Sequence, residues 1–387
     1  MNQAVLDAPV LLQEARVATG LANFGAEEFR EPFERLVHAL NHEAQLNAAG
    51  MHGQHDRLLG LLVNRLRVEE LYRIHPEIAA ERIAVAVCIV GLPRTGTTML
   101  HKVLSSDGRF QFPRFHETRH PVAPDSLQPG LCDDRITQIE TELQRMVELS
   151  PQMAAIHPLS ATGAEEEISL MEHSFFSTVP EAFNYVPEFS RWLDAQDNRP
   201  GYDYLVRLLR ILQWQKRRAG EAVGPWLLKT PHHLHYLDLL VETFPDARVI
   251  LTHRDPRQVM PSYASMITAL YRMGSDVVDP LKVGAFCLER FATSMERAGA
   301  IRDRHPARFL DVAYRDCVER PLEVMRTIYA SIGVPFTPAV ESAMQQWLEE
   351  NRRDKRALHH YDAADYGYTD ASLAQRFATY RQRFLAT

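Results

Sequence analysis

Cysteine is scarce in this chain, and long apolar runs are missing from it. Four of its 387 residues are cysteines, Cys88, Cys132, Cys287 and Cys317, and no two of them form a C-x-x-C pair. Reduced thiols in a cytoplasmic protein are the simplest account of so few cysteines, so we expect a cytoplasmic location. No segment approaches the roughly 18 consecutive apolar residues that a membrane span needs, so we expect no integral membrane association.

Positive charge is also in short supply. The chain has 43 Lys and Arg residues against 50 Asp and Glu, which gives a formal net charge of -7. Because no surplus of cations is available for a phosphate backbone, we expect no nucleic-acid partner. The N-terminus lacks a basic segment and carries Asp7 and Glu14 within its apolar part, so it does not have the pattern of a signal peptide.

The most informative stretch that is present spans residues 84–100, AVAVCIVGLPRTGTTML. Its first seven residues are apolar and uncharged, which is typical of a strand buried on both faces. Gly91 and Gly96 then bracket four residues, and an amphipathic helix is expected to follow to about Ser105. Glycines let successive N–H groups turn inward, and the helix adds its positive end, so we predict an oxyanion-binding loop. A plain strand-to-helix turn without a ligand is the alternative.

The cation of this loop is not where a nucleoside triphosphatase has it. The spacing G-x-x-x-x-G is that of a P-loop, but Thr97 and Thr98 replace the Lys-Ser/Thr pair that normally follows. The loop instead carries Arg94 inside it. Because a nucleoside triphosphatase needs the lysine and a hydroxyl on magnesium, this pattern favours a different anionic ligand.

Two further cations follow predicted strands. Lys229 ends the apolar run WLLK, and Arg254 follows the strand VIL after two residues, where Asp255 can cap the next helix. The carboxyl ends of parallel strands are where α/β proteins bind ligands, so a second anion site is expected there. Ser262 lies about two turns into the following helix. A surface pair of Arg254 with Asp255 is the alternative.

The expected fold is α/β, with a P-loop-like central parallel sheet flanked by helices and an N-terminal helical extension. We divide the chain into a helical region, residues 1–82, and a main domain, residues 83–387, with a helical insertion at about 120–220. The N-terminal helices can cap the main domain, contact a second subunit in a homo-oligomer, or close over an apolar substrate. The aromatic segment 175–192 fits either core packing or a pocket for an apolar acceptor.

The two phosphate-loop motifs together carry a family resemblance. GLPRTGTTML followed by VILTHRDPRQVMPSYASM resembles the sulfotransferases that use 3′-phosphoadenosine 5′-phosphosulfate (PAPS), from about residue 85 to 314 and more loosely to about 367. The resemblance implies transfer of a sulfuryl group from PAPS to the hydroxyl of a small acceptor, with 3′-phosphoadenosine 5′-phosphate (PAP) as product and no metal required. The aromatic segment suits a hydrophobic acceptor.

The resemblance also assigns roles to residues around the donor. It implies that the phosphosulfate is held by Arg94, Thr95, Gly96, Thr97 and Thr98. It further implies that the 3′-phosphate is held by Arg254 and Ser262, that Lys229 contacts the transferring group, and that Tyr314 lies near the adenine.

The expected general base is a glutamate. The loop arginine is shared with the tyrosylprotein sulfotransferases and a large bacterial subgroup, in which a glutamate downstream of the loop is the base. That glutamate is matched by Glu117 in HETR, so we expect Glu117, Arg94 and Lys229 to be the catalytic residues. From the residues alone Glu117 also fits a surface glutamate paired with a neighbouring arginine. His232 and His233 are the reserve candidates.

Two other functions stay open at this stage, a magnesium-dependent P-loop kinase or nucleotide hydrolase and a non-catalytic nucleotide-binding module. No metal site is predicted, because the histidines at 232, 233 and 235 have no cysteine or nearby carboxylate at ligand spacing. The cationic run at residues 351–356 is either a solvated face or, as the family would have it, a neighbour of the 3′-phosphate.

Overall fold

The computed structural model describes residues 5–123, 133–149, 160–351 and 361–385. Cys132 and the cations of the run at 352–356 lie outside the described residues. None of the described helices is long and apolar enough to cross a membrane.

A four-stranded parallel sheet forms the centre of the fold. Its strands are β1 (Val85–Gly91), β2 (Trp226–Lys229), β3 (Arg248–His253) and β4 (Phe309–Ala313). Their order across the sheet is β2-β1-β3-β4, and every pair is parallel. The predicted α/β fold with a central parallel sheet is therefore confirmed. Because β1 lies between β2 and β3, the loop after β1 is flanked by the carboxyl ends of both neighbours.

Among the described residues three α-helices precede the sheet, in the region expected to be a helical extension. They are α1 (Ala8–Thr19), α2 (Arg30–His42) and α3 (Ala48–Ile74). Their apolar faces share one hydrophobic cluster with the aromatic segment, in which the rings of Phe33 and Phe175 lie 5.0 Å apart. These aromatic residues therefore build core. The division of the chain at residue 82 stays a prediction.

The middle of the chain is helical, and the insertion expected at about 120–220 stays a prediction. Its helices are α4 (Thr97–Leu104), α5 (Phe115–Arg119), α6 (Asp134–Leu149), α7 (Ile168–Met171), α8 (Val179–Phe183), α9 (Pro187–Asp194) and α10 (Arg199–Arg218). Glu117 lies in the short helix α5. Pro113 and Pro121 limit this helix to five residues but do not prevent it.

The last part of the chain alternates strands with longer helices. These are α11 (Leu237–Thr243), α12 (Pro256–Tyr271), α13 (Pro280–Arg304), α14 (Tyr314–Glu319), α15 (Pro321–Ile332), α16 (Pro338–Glu350), α17 (Asp370–Arg376) and α18 (Ala378–Phe384). The predicted cap of α12 is present, because the Asp255 carboxylate accepts a hydrogen bond from Arg257 N at 3.0 Å.

Alternate residues of β1 point to opposite faces of the sheet, and helices cover both. Cys88 and Val90 belong to the cluster formed with α10, α12 and α13. Val87 and Ile89 belong to the cluster formed with α4, α15 and α16. The sheet is thus a rigid base that leaves the carboxyl ends of its strands available for a site.

Candidate active site

The loop between β1 and α4 is a tight turn that depends on its glycine at position 96. Gly96 precedes α4 with φ of +89°, and an added Cβ there would lie 3.2 Å from Tyr314 Cδ2. A side chain is disfavoured at that φ, and the Tyr314 ring fills the space in which it would stand. Arg94 also has a positive φ, +67°, which is uncommon for a residue with a side chain. The loop is therefore held in one strained conformation at the amino end of α4.

Thr95 fastens this loop to β3. Its side chain is wholly buried, and its Oγ1 lies 2.5 Å from the carbonyl of Leu92 and 2.6 Å from Oγ1 of Thr252. The hydroxyl of Thr95 is therefore committed to the fold. The group that this residue can offer a ligand is its backbone N–H.

Lys229 reaches the amino end of α4 from the neighbouring strand β2. Its side chain is only 3% exposed, and its ammonium donates to Thr98 Oγ1 at 3.1 Å. The same ammonium forms an ion pair with Glu166, whose side chain is 22% exposed. The structure thus places Lys229 beside the loop, as predicted, and adds a carboxylate that the sequence analysis missed.

The missed carboxylate belongs to a pair, Glu166 and Glu167, just before α7. Glu167 is fully buried, where it accepts a hydrogen bond from the backbone N–H of Lys229 at 2.7 Å and lies 2.8 Å from His233 Nε2. His233 Nδ1 in turn lies 2.8 Å from the hydroxyl of Tyr202. The available signal was a run of three glutamates, residues 165–167, directly ahead of a short apolar helix.

Arg254 joins the loop from the other side, at the end of β3. Its Nη1 donates to the carbonyl of Arg94 at 2.7 Å, and its Nε donates to Gln258 Oε1 at 3.2 Å. The guanidinium carbon lies 4.2 Å from the centre of the Tyr314 ring, which is the ring that packs on Gly96. The structure therefore brings together these four residues predicted from the sequence: Arg94, Gly96, Arg254 and Tyr314. Ser262, which was predicted to act with Arg254, lies buried in the second turn of α12.

Glu117 is held in a buried ion pair. Its side chain is 4% exposed, Lys216 Nζ donates to its Oε1 at 2.5 Å, and the backbone N–H of Arg114 donates to its Oε2 at 2.8 Å. Burial alone would raise the pKa of Glu117, but Lys216, Arg114 and His116 together hold this pKa below its ordinary value. Glu117 is therefore an anion with partners on both oxygens.

The two reserve histidines are buried as well. His232 Nδ1 lies 3.1 Å from Thr178 Oγ1, and burial, assisted by the neighbouring His233, lowers the pKa of His232 well below its usual range. His233 has both ring nitrogens in the contacts with Glu167 and Tyr202. Within the described ranges, no group of three or more His, Cys, Asp or Glu side chains is arranged to hold a metal ion.

The donor set of this site suits a ligand with two separated anionic groups. The amino end of α4 and the ammonium of Lys229 mark one position, and the guanidinium of Arg254 marks the other, across the loop. Backbone N–H groups and fixed cations are the groups that bind phosphate and sulfate oxygens. The residues present thus fit a nucleotide such as PAPS.

A family model supports this conclusion about the class of protein. The model of the sulfotransferase family matches residues 86–338, which include the sheet, the loop and the cations around it. The chain therefore belongs to the sulfotransferase family, and the resemblance noted in the sequence is confirmed.

Individual relatives share both sequence and fold. The chain is 25% identical over 274 residues to the omega-hydroxy-beta-dihydromenaquinone-9 sulfotransferase Stf3 of Mycobacterium bovis, covering 68% of this chain and 67% of that protein. The crystal structure of sulfotransferase STF1 from Mycobacterium tuberculosis has a TM-score of 0.85 with 29% identity, covering 98% of this chain and all of that one. Sulfotransferase STF9 from Mycobacterium avium gives a TM-score of 0.88 with 26% identity, covering 99% and 98%.

Proposed function

We propose that this protein transfers a sulfuryl group from PAPS to the hydroxyl of a small hydrophobic acceptor. The proposal rests on two contacts. Lys229 donates a hydrogen bond to Thr98 at the amino end of α4, and Arg254 donates one to the same loop from the other side. Family membership favours sulfuryl transfer over a kinase or a purely binding role.

Each cation around the loop has a proposed task. Arg94, the loop N–H groups of residues 95–98 and Lys229 hold the phosphosulfate and stabilise charge that develops on its oxygens. Arg254 and Ser262 hold the 3′-phosphate, and Tyr314 lies near the adenine. When bound, PAPS supplies a sulfuryl group on a phosphate leaving group. A sulfuryl group carries less charge than a phosphoryl group, so fixed cations can take the place of magnesium.

The proton of the acceptor hydroxyl needs a carboxylate, and two are available. Glu117 stays the prediction from the family resemblance, but its two oxygens are occupied inside a buried ion pair. Glu166 contacts the ammonium that also touches Thr98, and its side chain is accessible to solvent. A base must lie within hydrogen-bond reach of the proton that it removes. We therefore propose that Glu166 accepts the proton and that Glu117 fixes α5 against α10.

Two matched variants separate these assignments. Glu166→Gln should reduce kcat by about 10²–10⁴-fold, the usual contribution of a general base, while the Kd for PAP stays within about threefold of wild type. Glu117→Gln is the same chemical change at the other carboxylate. If Glu117→Gln folds normally and loses turnover while Glu166→Gln does not, the base is Glu117 and our assignment is wrong.

The acceptor is the least defined part of the proposal. The name of the Stf3 relative indicates a hydroxylated menaquinone derivative, which is a hydrophobic alcohol. We propose the same chemical class for this chain and test it with a panel of lipid, steroid and polyketide alcohols incubated with isotopically labelled PAPS. Mass spectrometry should find the label on one class of alcohol, and label on none of them would count against the activity. The three described cysteines, which are free and buried, suit the cytoplasmic location that we also propose.

A further inference from the structure

The last helix, α18, packs directly on the segment that presents Arg254. The aromatic ring of Phe384 stacks on that of His253, with ring centres 4.3 Å apart and planes at 10°. The hydroxyl of Tyr380 lies 3.1 Å from His253 Nδ1, and Arg381 Nε lies 3.4 Å from Asp255 Oδ1. One face of a short helix thus contacts both residues that flank Arg254 in the chain.

The Tyr380 hydroxyl also belongs to a chain of hydrogen bonds that ends on the backbone of Arg254. Arg302 Nε donates to Asp311 at 3.0 Å, and the Asp311 carboxylate lies 2.9 Å from His253 Nε2. A carboxylate at Nε2 requires the proton on that nitrogen, so in the neutral ring Nδ1 accepts from the Tyr380 hydroxyl. The phenol oxygen then accepts from the backbone N–H of Arg254.

We call this chain of hydrogen bonds, which runs from Arg302 through Asp311, His253 and Tyr380 to Arg254, the relay. Every polar group in the relay has a partner, although the relay is largely buried. Tyr380 is 8% exposed and His253 is 3% exposed. Burial raises the pKa of Tyr380, so its hydroxyl stays protonated and able to donate near neutral pH. Satisfied buried networks of this kind fix one local geometry, because each lost bond leaves a buried group without a partner.

We propose that Tyr380 and His253 are positioning residues for the donor's 3′-phosphate, which they serve by fixing the backbone from which Arg254 projects. The inference rests on the proposed role of Arg254 in binding PAPS. The side chain of Arg254 is oriented by Arg94 and Tyr314, and the relay supplies the constraint at its backbone. A guanidinium recognises phosphate through directed N–H bonds, so a small rotation of this backbone weakens binding of the 3′-phosphate in particular.

The test compares ligands with and without that phosphate. Calorimetry gives the Kd of PAP and of adenosine 5′-monophosphate, its 3′-dephosphorylated analogue, for wild type and for Tyr380→Phe. We expect Tyr380→Phe to weaken PAP binding about tenfold, the equivalent of one hydrogen bond, and to change binding of the monophosphate less than twofold. At saturating PAPS, kcat should stay within about twofold of wild type.

A matched control is available in the same part of the chain. Tyr368 is also buried, and its hydroxyl donates to the carbonyl of Gly284 at 2.6 Å, away from the Arg254 segment. Tyr368→Phe removes one buried hydrogen bond of similar kind, so it should lower the melting temperature about as much as Tyr380→Phe does. It should leave the ratio of the Kd of PAP to the Kd of the monophosphate unchanged. An equal change of that ratio in Tyr368→Phe would overturn the proposal.

A second variant keeps the test decisive if Tyr380→Phe does not fold. His253→Phe keeps the ring that stacks on Phe384 but has no acceptor for the Tyr380 hydroxyl, so it should raise the Kd of PAP relative to that of the monophosphate by a similar factor. Arg254→Ala separates the proposal from its premise. If Arg254→Ala abolishes the preference for PAP while both relay variants keep it, the inference about positioning fails and the proposed function stands. If wild type shows no preference for PAP, the proposed function itself fails.

Discussion

Breaking the buried ion pair between Glu117 and Lys216 should measurably destabilise the fold, and neutralising both charges should restore most of the lost stability. Both side chains are 4% exposed, so removing one partner leaves the other charge buried. Such a change costs about 3–5 kcal/mol. For 387 residues the entropy of unfolding is about 0.8 kcal/mol/K, so Lys216→Met should lower the melting temperature by about 4–6 °C.

The double variant Glu117→Gln/Lys216→Met should recover most of this loss. Replacing both charges by neutral groups removes the isolated buried charge, and such replacements are often close to neutral in stability. Calorimetric melting of wild type, both single variants and the double variant at pH 7 forms a complete cycle. A double variant that loses the sum of both single effects would refute the ion-pair interpretation.

The same double variant also tests the assignment of the base. It has no carboxylate at position 117, and its recovered stability removes misfolding as a cause of lost turnover. Turnover close to wild type is expected if Glu166 removes the proton. A loss of about 10²-fold or more in a stable double variant would return that role to Glu117.

Three further predictions concern the donor site and its surroundings. Arg254→Ala should weaken PAP far more than adenosine 5′-monophosphate in calorimetric titrations, and equal losses would contradict its role at the 3′-phosphate. Gly96→Ala should raise the Kd of PAP at least tenfold, because its φ of +89° and the Tyr314 ring both oppose a Cβ; unchanged binding would contradict this. Burial raises the pKa of Asp311, but His253 and Arg302 together lower it to about 2. The stability that it contributes should be complete above about pH 5 and lost as the pH falls through 2, so urea unfolding should show that Asp311→Asn costs about 1–2 kcal/mol at pH 7 and roughly half as much at pH 3.

The parts of the site that could be predicted are those encoded in short segments. An apolar run that ends in glycine predicts a strand and a loop. Lys229 and Arg254 are recognisable because each lies at or just beyond the end of a short apolar run. The parts that could not be predicted depend on distant pairings. Glu166 meets Lys229 across 63 residues, and Glu117 meets Lys216 across 99. These pairings depend on how the helical insertion folds back onto the sheet, and no local pattern encodes that path.

The order of the strands gives this loop a substitute for the lysine of a nucleoside triphosphatase. Because β1 lies between β2 and β3, a cation at the end of either neighbour flanks the loop as closely as a residue within it. Lys229 from β2 and Arg254 from β3 use this arrangement, and each contacts the loop or the helix that follows it. The threonine at position 97, in the lysine's place, is 3% exposed, so a longer side chain there would have to displace packed neighbours. Supplying the cations from neighbouring strands therefore leaves the amino end of α4 compact and places positive charge on both sides of the same loop, which suits the proposed donor, whose two anionic groups are separated by a ribose.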